Sequence, residues 1–394
     1  MMSMGRSDRA PVITMAAPVD VKEKTAPVID WSVWARTPGL EKFGPGSKVE
    51  LIDGGVINFV YRVRSDKDDK LTVVVKNSEP YVKAFTMQPL SPERARVEIW
   101  AMRKMDTIVP GSVPTPYLHQ PDQNFMVLED LGGYQLLREQ LNLGRFDISL
   151  VWELVRRIAK LHRVTHRVTI DEASHREMIQ FCTLNDMQFI RTTVLFDDPI
   201  DQKGEGGQYA REVEAFTGDQ TLYPNWLKLR SVAEKNHDCL AHGDFHTSSV
   251  MIMGSSIKIF DFEMAHMGPA GTDLGHMLCN FVKPYFDHKC YPVKDAPAYH
   301  EQLKTALYDI VDAYFQEARE YLSDADFART ISETAGFTGA RLIRRVWGFH
   351  EPDEGLNEPL TDQGCLRVGQ RLIRDYEKIQ TTQDLKRYLV EQDE

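Results

Sequence analysis

Between His242 and Glu263 the chain reads HGDFHTSSVMIMGSSIKIFDFE, which gathers groups that can do chemistry: the imidazoles of His242 and His246, the Asp244 carboxylate between them, and a carboxylate pair, Asp261 and Glu263, at the far end. The residues in between form an apolar ribbon from Val250 to Met253, a Gly-Ser turn, and a second ribbon from Ile257 to Phe260. This pattern predicts a β-hairpin, whose two ends lie side by side. Asp244 and Asp261, seventeen residues apart, are therefore expected to face one small volume. Two chemistries remain open at this point. His242, Asp244 and His246 have the donor types that hold zinc or manganese for hydrolysis. Alternatively, Asp244 takes the proton of an acceptor hydroxyl while Asp261 and Glu263 supply the oxygen ligands that magnesium prefers.

The segments upstream bear on that choice. Val49 to Val63, VELIDGGVINFVYRV, reads as strand, turn and strand, with Gly54 and Gly55 at the turn. Glycines there let backbone N–H groups approach phosphate oxygens, although a bare hairpin has the same pattern. Leu71 to Lys76, LTVVVK, is a β-branched strand that ends in a lysine. From Ser91 the residues SPERARVEIWAMRKM predict a helix capped by Ser91 and started by Pro92, with Ala95, Ile99, Met102 and Met105 in an apolar stripe and Glu98 beside it. A glycine flap, a strand lysine and a helix glutamate in this order match the small lobe of a kinase, where the glutamate orients the lysine toward nucleotide phosphates. They fit phosphoryl transfer and not metal-assisted hydrolysis. Phe125 to Leu131, FMVLEDL, then reads as a strand breaking into a hinge, with the backbone of Glu129 and Leu131 facing an adenine edge.

Downstream the pattern is helical. Ser149 to His162 is amphipathic, and His162 at its end reads as a packed, hydrogen-bonded residue. Asp197 to Gln208, DDPIDQKGEGGQ, is expected to be a surface loop. Gly268 to Phe281 is a turn feeding a helix, where Asp273, His276 and Cys279 at i, i+3 and i+6 drift off one face and read as core rather than as a metal set. Near the end, Arg341, Arg344 and Arg345 form a basic cluster suited to phosphate oxygens.

Composition narrows the partners. A net charge of −11 excludes a general binder of nucleic acid or anionic membrane, which needs a positive field. Five scattered cysteines without CxxC spacing indicate neither a disulfide framework nor a zinc knuckle, and a cytoplasmic location is expected. The chain of 394 residues is expected to divide into a leader over 1–39, mobile at its start, a nucleotide-binding lobe over 40–131, and a helical lobe over 132–394.

HGDFHTSSVMI followed by KIFDFEMAHMGPAGTDLG resembles the aminoglycoside phosphotransferase superfamily of small-molecule kinases, and within it the methylthioribose kinases. Ser249 stands where most of the superfamily has asparagine, Asp261-Phe262-Glu263 is similar to that branch's D-x-E metal motif, and Gly268 to Gly275 to its G-P-x-G-x-D-x-G turn. NFVYRV, EPYVK, ERARVE, VLEDL and ARLIRRVWG extend the similarity over roughly residues 48–375. The chain departs from the branch at Val56, Gln88, Ser248, Ala270 and Thr272. The resemblance implies an α+β, two-lobed protein-kinase-like fold with a small antiparallel β-rich lobe and a larger helical one. It implies a kinase using ATP and Mg2+ in methionine salvage, with S-methyl-5-thioribose as the small-molecule acceptor and a homodimeric assembly; sibling acceptors such as choline or an amino sugar, or a non-catalytic nucleotide-binding relative, are the alternatives. By the same resemblance Asp244 is the catalytic aspartate and Asp261 and Glu263 the metal ligands. Gly54, Gly55, Asn58, Lys76, Glu98, Glu129 and Leu131 serve ATP, Arg344 and Arg345 the acceptor or transferred phosphoryl group, and His242, Ser249 and Asp273 support the catalytic loop.

Overall fold

The computed structural model describes residues 27–52, 55–348 and 358–390. The chain forms two compact units, Met1–Arg96 with Thr115–Asp130, and Val97–Pro114 with Leu131–Glu394.

The first unit is built on five antiparallel strands, β1 (Lys48–Ile52), β2 (Phe59–Arg64), β3 (Thr72–Asn77), β6 (Pro116–Gln120) and β7 (Phe125–Glu129), in the order β1-β2-β3-β7-β6. A short pair, β4 (Tyr81–Val82) and β5 (Phe85–Pro89), lies outside that sheet. Side chains alternate between the faces of a strand, so Phe59, Tyr61 and Val63 of β2 share one buried face with Val73 and Val75 of β3 and with Phe125 and Val127 of β7. Trp34, from the one-turn helix Trp31–Trp34, completes this core with Leu40 and Phe43. Residues 29–34 of the expected leader thus pack on the core of the first unit; the mobile start expected for it falls on residues 1–26, outside the described residues. Arg62 anchors the end of β7 with a two-pronged ion pair to Asp130, Nε to Oδ2 at 2.6 Å and Nη2 to Oδ1 at 3.1 Å.

The second unit is mainly helical. Its centre is the helix Gly271–Cys290, buried along nearly its whole length, with the helices Val151–Thr165, Tyr299–Ala318, Asp324–Trp347 and Pro359–Asp375 in the same unit. Gly275 permits the close crossing of the central helix with Asp324–Trp347, since a Cβ at that position would lie 2.8 Å from the Thr338 nitrogen. Three small β elements carry the loops: β8 (Gln135–Leu136), the hairpin β10 (Val250–Met253) and β11 (Ser256–Ile259), and the pair β9 (Cys239–Ala241) and β12 (His266–Gly268). The expected hairpin forms, with Val250 opposite Ile259 and its second strand one residue earlier than the Ile257–Phe260 ribbon.

Two local expectations change. The helix expected from Ser91 begins at Arg94, because Ser91 caps a preceding turn by accepting the Glu93 N–H at 3.2 Å. The expected surface loop at 197–208 instead begins with a π-turn, Thr193–Asp197, leading into the helix Asp198–Gln202, with Asp198 and Pro199 buried. Charged residues argue for exposure only where no neighbouring element covers them, and here Arg344 offsets part of the burial that pushes the Asp198 carboxyl up to about 6. No helix among the described residues is long and apolar enough to cross a membrane.

His166 sets a pH limit on stability. It is 1% exposed, and burial pulls its pKa from 6.5 down to about 4 against the opposing pull of Asp238. Below 6.5 the unfolded chain takes up a proton that the folded chain refuses, so stability falls as pH falls through that window. By about pH 5 the loss from this group alone is about 2 kcal/mol. Urea unfolding across this range should show the drop, and His166→Asn should flatten it; a variant profile as steep as the wild type would exonerate His166.

Candidate active site

The chain leaves β9 at Ala241, paired with His266, and turns sharply through His242 and Gly243. Gly243 has φ +84°, and a Cβ there would lie 2.1 Å from the Met264 carbonyl oxygen, so only glycine fits. One carboxylate holds the turn. Asp273 accepts the His242 N–H at 2.6 Å and the Gly243 N–H at 2.9 Å, and its Oδ2 lies 3.1 Å from His162 Nε2. His162 is itself fixed by the Tyr314 hydroxyl, 2.8 Å from Nδ1. Burial alone would raise the Asp273 carboxyl, but the hydrogen bond from His162 and the neighbouring donors hold it below its ordinary value.

His242 is locked by the backbone. Its Nδ1 accepts the Asp244 N–H at 3.3 Å, so the proton sits on Nε2, which faces the Phe260 carbonyl at 3.0 Å. Burial keeps the ring below its usual pKa and hence neutral. With both nitrogens committed, His242 is withdrawn from the zinc or manganese set considered for HGDFH. Ser249 Oγ donates to the Asp244 carbonyl at 2.9 Å, fixing the loop after the aspartate.

The Asp244 side chain remains 36% exposed and sits between two imidazoles, with His246 Nε2 at 3.3 Å from Oδ2 and His276 Nδ1 at 3.4 Å from Oδ1. Partial burial favours the neutral acid. The His246 imidazole and its hydrogen bond, together with His276 and Arg341, outweigh it and hold the carboxyl well below the ordinary range. Asp244 is therefore an ionised, partly open acceptor at neutral pH.

The second cluster is acidic. Glu98, Asp261 and Glu263 each bring an oxygen within 4.8 Å of the others, and Glu98 and Glu263 are buried. Asp261 has φ +70°, a left-handed conformation that aspartate tolerates better than most residues and that is found disproportionately at functional sites. The chain just beyond the Glu98 helix is tied to the hairpin, with Ile259 N–H donating to Ser112 O at 2.7 Å and Lys258 Nζ to Val113 O at 3.0 Å. Hard oxygen donors at this spacing suit a magnesium-sized cation.

Other expected site residues are placed as follows. Lys76 is the next-to-last residue of β3, opposite Val60 and Met126, and is 8% exposed. Glu98, read from the sequence as the partner of a lysine, is brought to the two metal-type carboxylates. Asn58 is 3% exposed, and its Oδ1 accepts Arg94 Nε at 3.1 Å and Nη2 at 2.8 Å, so that oxygen is already committed. Gly55 takes φ +70° at the flap turn, while Gly54 lies outside the described residues. Glu129 closes β7, accepting the Thr115 N–H at 3.0 Å, and the Leu131 carbonyl accepts from Tyr134. Of the arginines, Arg341 acts on Asp244, and Arg344 on Asp198 and His276. Arg345, turned about 100° further around the helix, is 8% exposed and acts on Cys365.

The sequence did not assign to the site His276, which read as core, Arg341 as the arginine acting on Asp244, or Asn280, whose Oδ1 accepts from Thr247 Oγ1 at 3.1 Å. The available signal was the series Asp273, His276, Asn280 at i, i+3 and i+7, which lies on one helix face. Reading the series through Cys279 obscured it.

A family profile described as "Phosphotransferase enzyme family" matches residues 48–296. The chain is 27% identical to a methylthioribose kinase of Geobacillus thermodenitrificans over 374 residues, covering 90% of this chain and 93% of that protein. It is 25% identical to a methylthioribose kinase of Bacillus pumilus over 358 residues, covering 85% and 88%. Among solved structures, a choline kinase from Cryptosporidium parvum Iowa II aligns with a TM-score of 0.47 at 16% identity, covering 91% of this chain and 93% of that one.

The clamp at Asp273 can be tested directly. Asp273→Asn turns an amide N–H toward one of the backbone donors and should destabilise the protein by about 2–3 kcal/mol, because hydrogen bonds to a buried charged acceptor are lost. Urea denaturation measures it; an unchanged midpoint would show that the carboxylate does not hold the loop.

Proposed function

Because the chain belongs to the phosphotransferase enzyme family, we propose that it transfers the γ-phosphoryl group of ATP to the anomeric hydroxyl of S-methyl-5-thioribose, a step of methionine salvage, with magnesium as the resident cation. The methylthioribose kinases that align over most of the chain support the acceptor. The observation that carries the reading is the arrangement within one unit of an ionised Asp244 on a backbone-clamped loop and the Glu98, Asp261 and Glu263 group, with His242 hydrogen-bonded to Phe260, the residue before Asp261.

In this reading the acceptor oxygen forms a bond to the γ-phosphorus as the bond to the β–γ bridging oxygen breaks, ADP leaves, and the hydroxyl proton passes to Asp244. Asp244 orients that hydroxyl, and its depressed pKa makes it a positioning acceptor more than a strong base. Asp261 and Glu263, with Glu98 alongside, would hold magnesium, which supplies neutralisation of charge on the phosphate oxygens. Lys76 and the Gly55 turn would meet the phosphates, and the backbone of Glu129 and Leu131 the adenine. Arg341 and Arg344 would face the acceptor side, where their charge opposes a cationic acceptor such as choline or an amino sugar.

ADP release measured over a panel of methylthioribose, ribose, choline and glucosamine tests the acceptor, and methylthioribose should give the largest kcat/KM; preference for a cationic acceptor would overturn the assignment. Asp244→Asn should lower kcat by about 10²- to 10⁴-fold, and near-wild-type turnover would remove Asp244 from its role. Glu263→Gln should raise the magnesium concentration needed for half-maximal rate by about 10-fold or more, as loss of one carboxylate from a hard-cation site requires. An unshifted magnesium titration would place the cation elsewhere.

A further inference from the structure

The central helix Gly271–Cys290 grips the Asp244 loop at three successive positions of one face. Asp273 takes the N–H groups of His242 and Gly243, before the aspartate, and Asn280 takes the Thr247 hydroxyl, after it. Between them, at i+3, His276 places Nδ1 3.4 Å from the Asp244 carboxylate itself. His276 is 8% exposed, and its Nδ1 is a buried nitrogen without a hydrogen-bond partner of good geometry among the described residues.

The ring opposite it provides a comparison. His246 Nδ1 accepts the Ser248 N–H at 3.2 Å, which puts its proton on Nε2, the atom 3.3 Å from Asp244 Oδ2. The two rings lie 5.0 Å apart with 31° between their planes. Asp244 is thus approached by one imidazole at each oxygen. The groups acting on His276 are Arg341 and Arg344 from the helix Asp324–Trp347 and Asp244 and His246 from the loop. Burial first, then the two arginines and His246, outweigh Asp244 and keep the ring neutral. A neutral ring has one N–H and one lone pair. A lone pair at Nδ1 would be repelled by the ionised oxygen beside it, so the proton belongs on Nδ1.

We propose that His276 is a positioning residue for phosphoryl transfer: its neutral imidazole, with the proton on Nδ1, fixes the plane of the Asp244 carboxylate against the acceptor hydroxyl. The inference rests on the reading of Asp244 as the catalytic aspartate. At 3.4 Å the Nδ1 to Oδ1 approach is long for a hydrogen bond. Catalytic hydrogen bonds commonly tighten only when substrate is bound. The helix face explains why the contact is built in: Asp273 holds the loop backbone and Asn280 the Thr247 hydroxyl, and without His276 the carboxylate would meet an imidazole at one oxygen alone, that of His246.

Three substitutions in the full-length protein separate positioning from packing. Asparagine keeps an N–H close to the place of Nδ1, glutamine carries its amide to the place of Nε2, and leucine fills the space without a donor. With Mg-ATP and the acceptor turned over fastest, His276→Leu should lower kcat by about 10- to 100-fold with the KM for ATP little changed, as expected for a displaced reacting group. His276→Asn should recover most of that loss, and His276→Gln should not. Thermal midpoints recorded alongside show whether packing is intact. Should the leucine variant fail to fold, the asparagine and glutamine pair carries the comparison.

Long-range proton–nitrogen spectra of histidine labelled on its ring nitrogens provide a readout independent of turnover, and should show His276 protonated at Nδ1 and bare at Nε2. The opposite tautomer, or equal kcat for the asparagine and glutamine variants, would overturn the proposal. A fully active Asp244→Asn would instead overturn the reading on which it rests. An inert Asp244→Asn beside His276 variants of wild-type kcat would overturn this inference alone.

Discussion

The buried carboxylate of Asp273 is the point on which the catalytic loop depends. It takes two consecutive backbone N–H groups from a turn that only glycine can make at Gly243, and a third contact comes from His162, itself held by the Tyr314 hydroxyl. A charged acceptor that is nearly inaccessible to water holds such a turn far more firmly than a surface contact would, because no solvent competes for the donors. The carboxylate can sit there because the central helix is itself immobilised, and its close crossing with Asp324–Trp347 requires the missing side chain at Gly275. Helix packing, loop shape and the direction of Asp244 therefore form one connected constraint.

Charge is sorted within the same unit. Around Asp244 the neighbours are imidazoles and guanidinium groups, which keep one carboxylate ionised in partial burial. At the other end of the hairpin three carboxylates converge, an arrangement that suits a cation. His242 spans the two regions as a neutral ring, one nitrogen on the Asp244 backbone and the other on the Phe260 carbonyl. Keeping it neutral avoids placing a second positive charge between the two clusters. An acidic chain with net charge −11 thus contains a local basic wall where Arg341 and Arg344 stand.

Methylthioribose kinases aligning over most of the chain and a family match across residues 48–296 support one class of reaction, phosphoryl transfer to a small molecule. Differences from the resembling branch at Ala270 and Thr272 sit at the start of the central helix, within three residues of Asp273 and its clamp on the loop.

What the sequence determined by itself was local and periodic. Alternation in β2 and β3 set which faces of the sheet are buried, the ribbon–turn–ribbon pattern set the hairpin between the two acidic ends, and the apolar stripe beside Glu98 set its helix. These were legible because each depends on residues a few positions apart, as did the placement of Asp244 and Asp261 at opposite ends of one hairpin. Tertiary structure alone decided the partners. It turned Asn58 to Arg94, brought Glu98 to Asp261 and Glu263, buried Asp198 near Arg344, and sent Arg341 rather than Arg345 toward Asp244. Periodicity states which face of a helix is apolar, but not which neighbour covers a polar residue at its margin. That choice is made by contacts between segments distant in sequence, from 36 residues apart for Asn58 with Arg94 to 111 for His162 with Asp273.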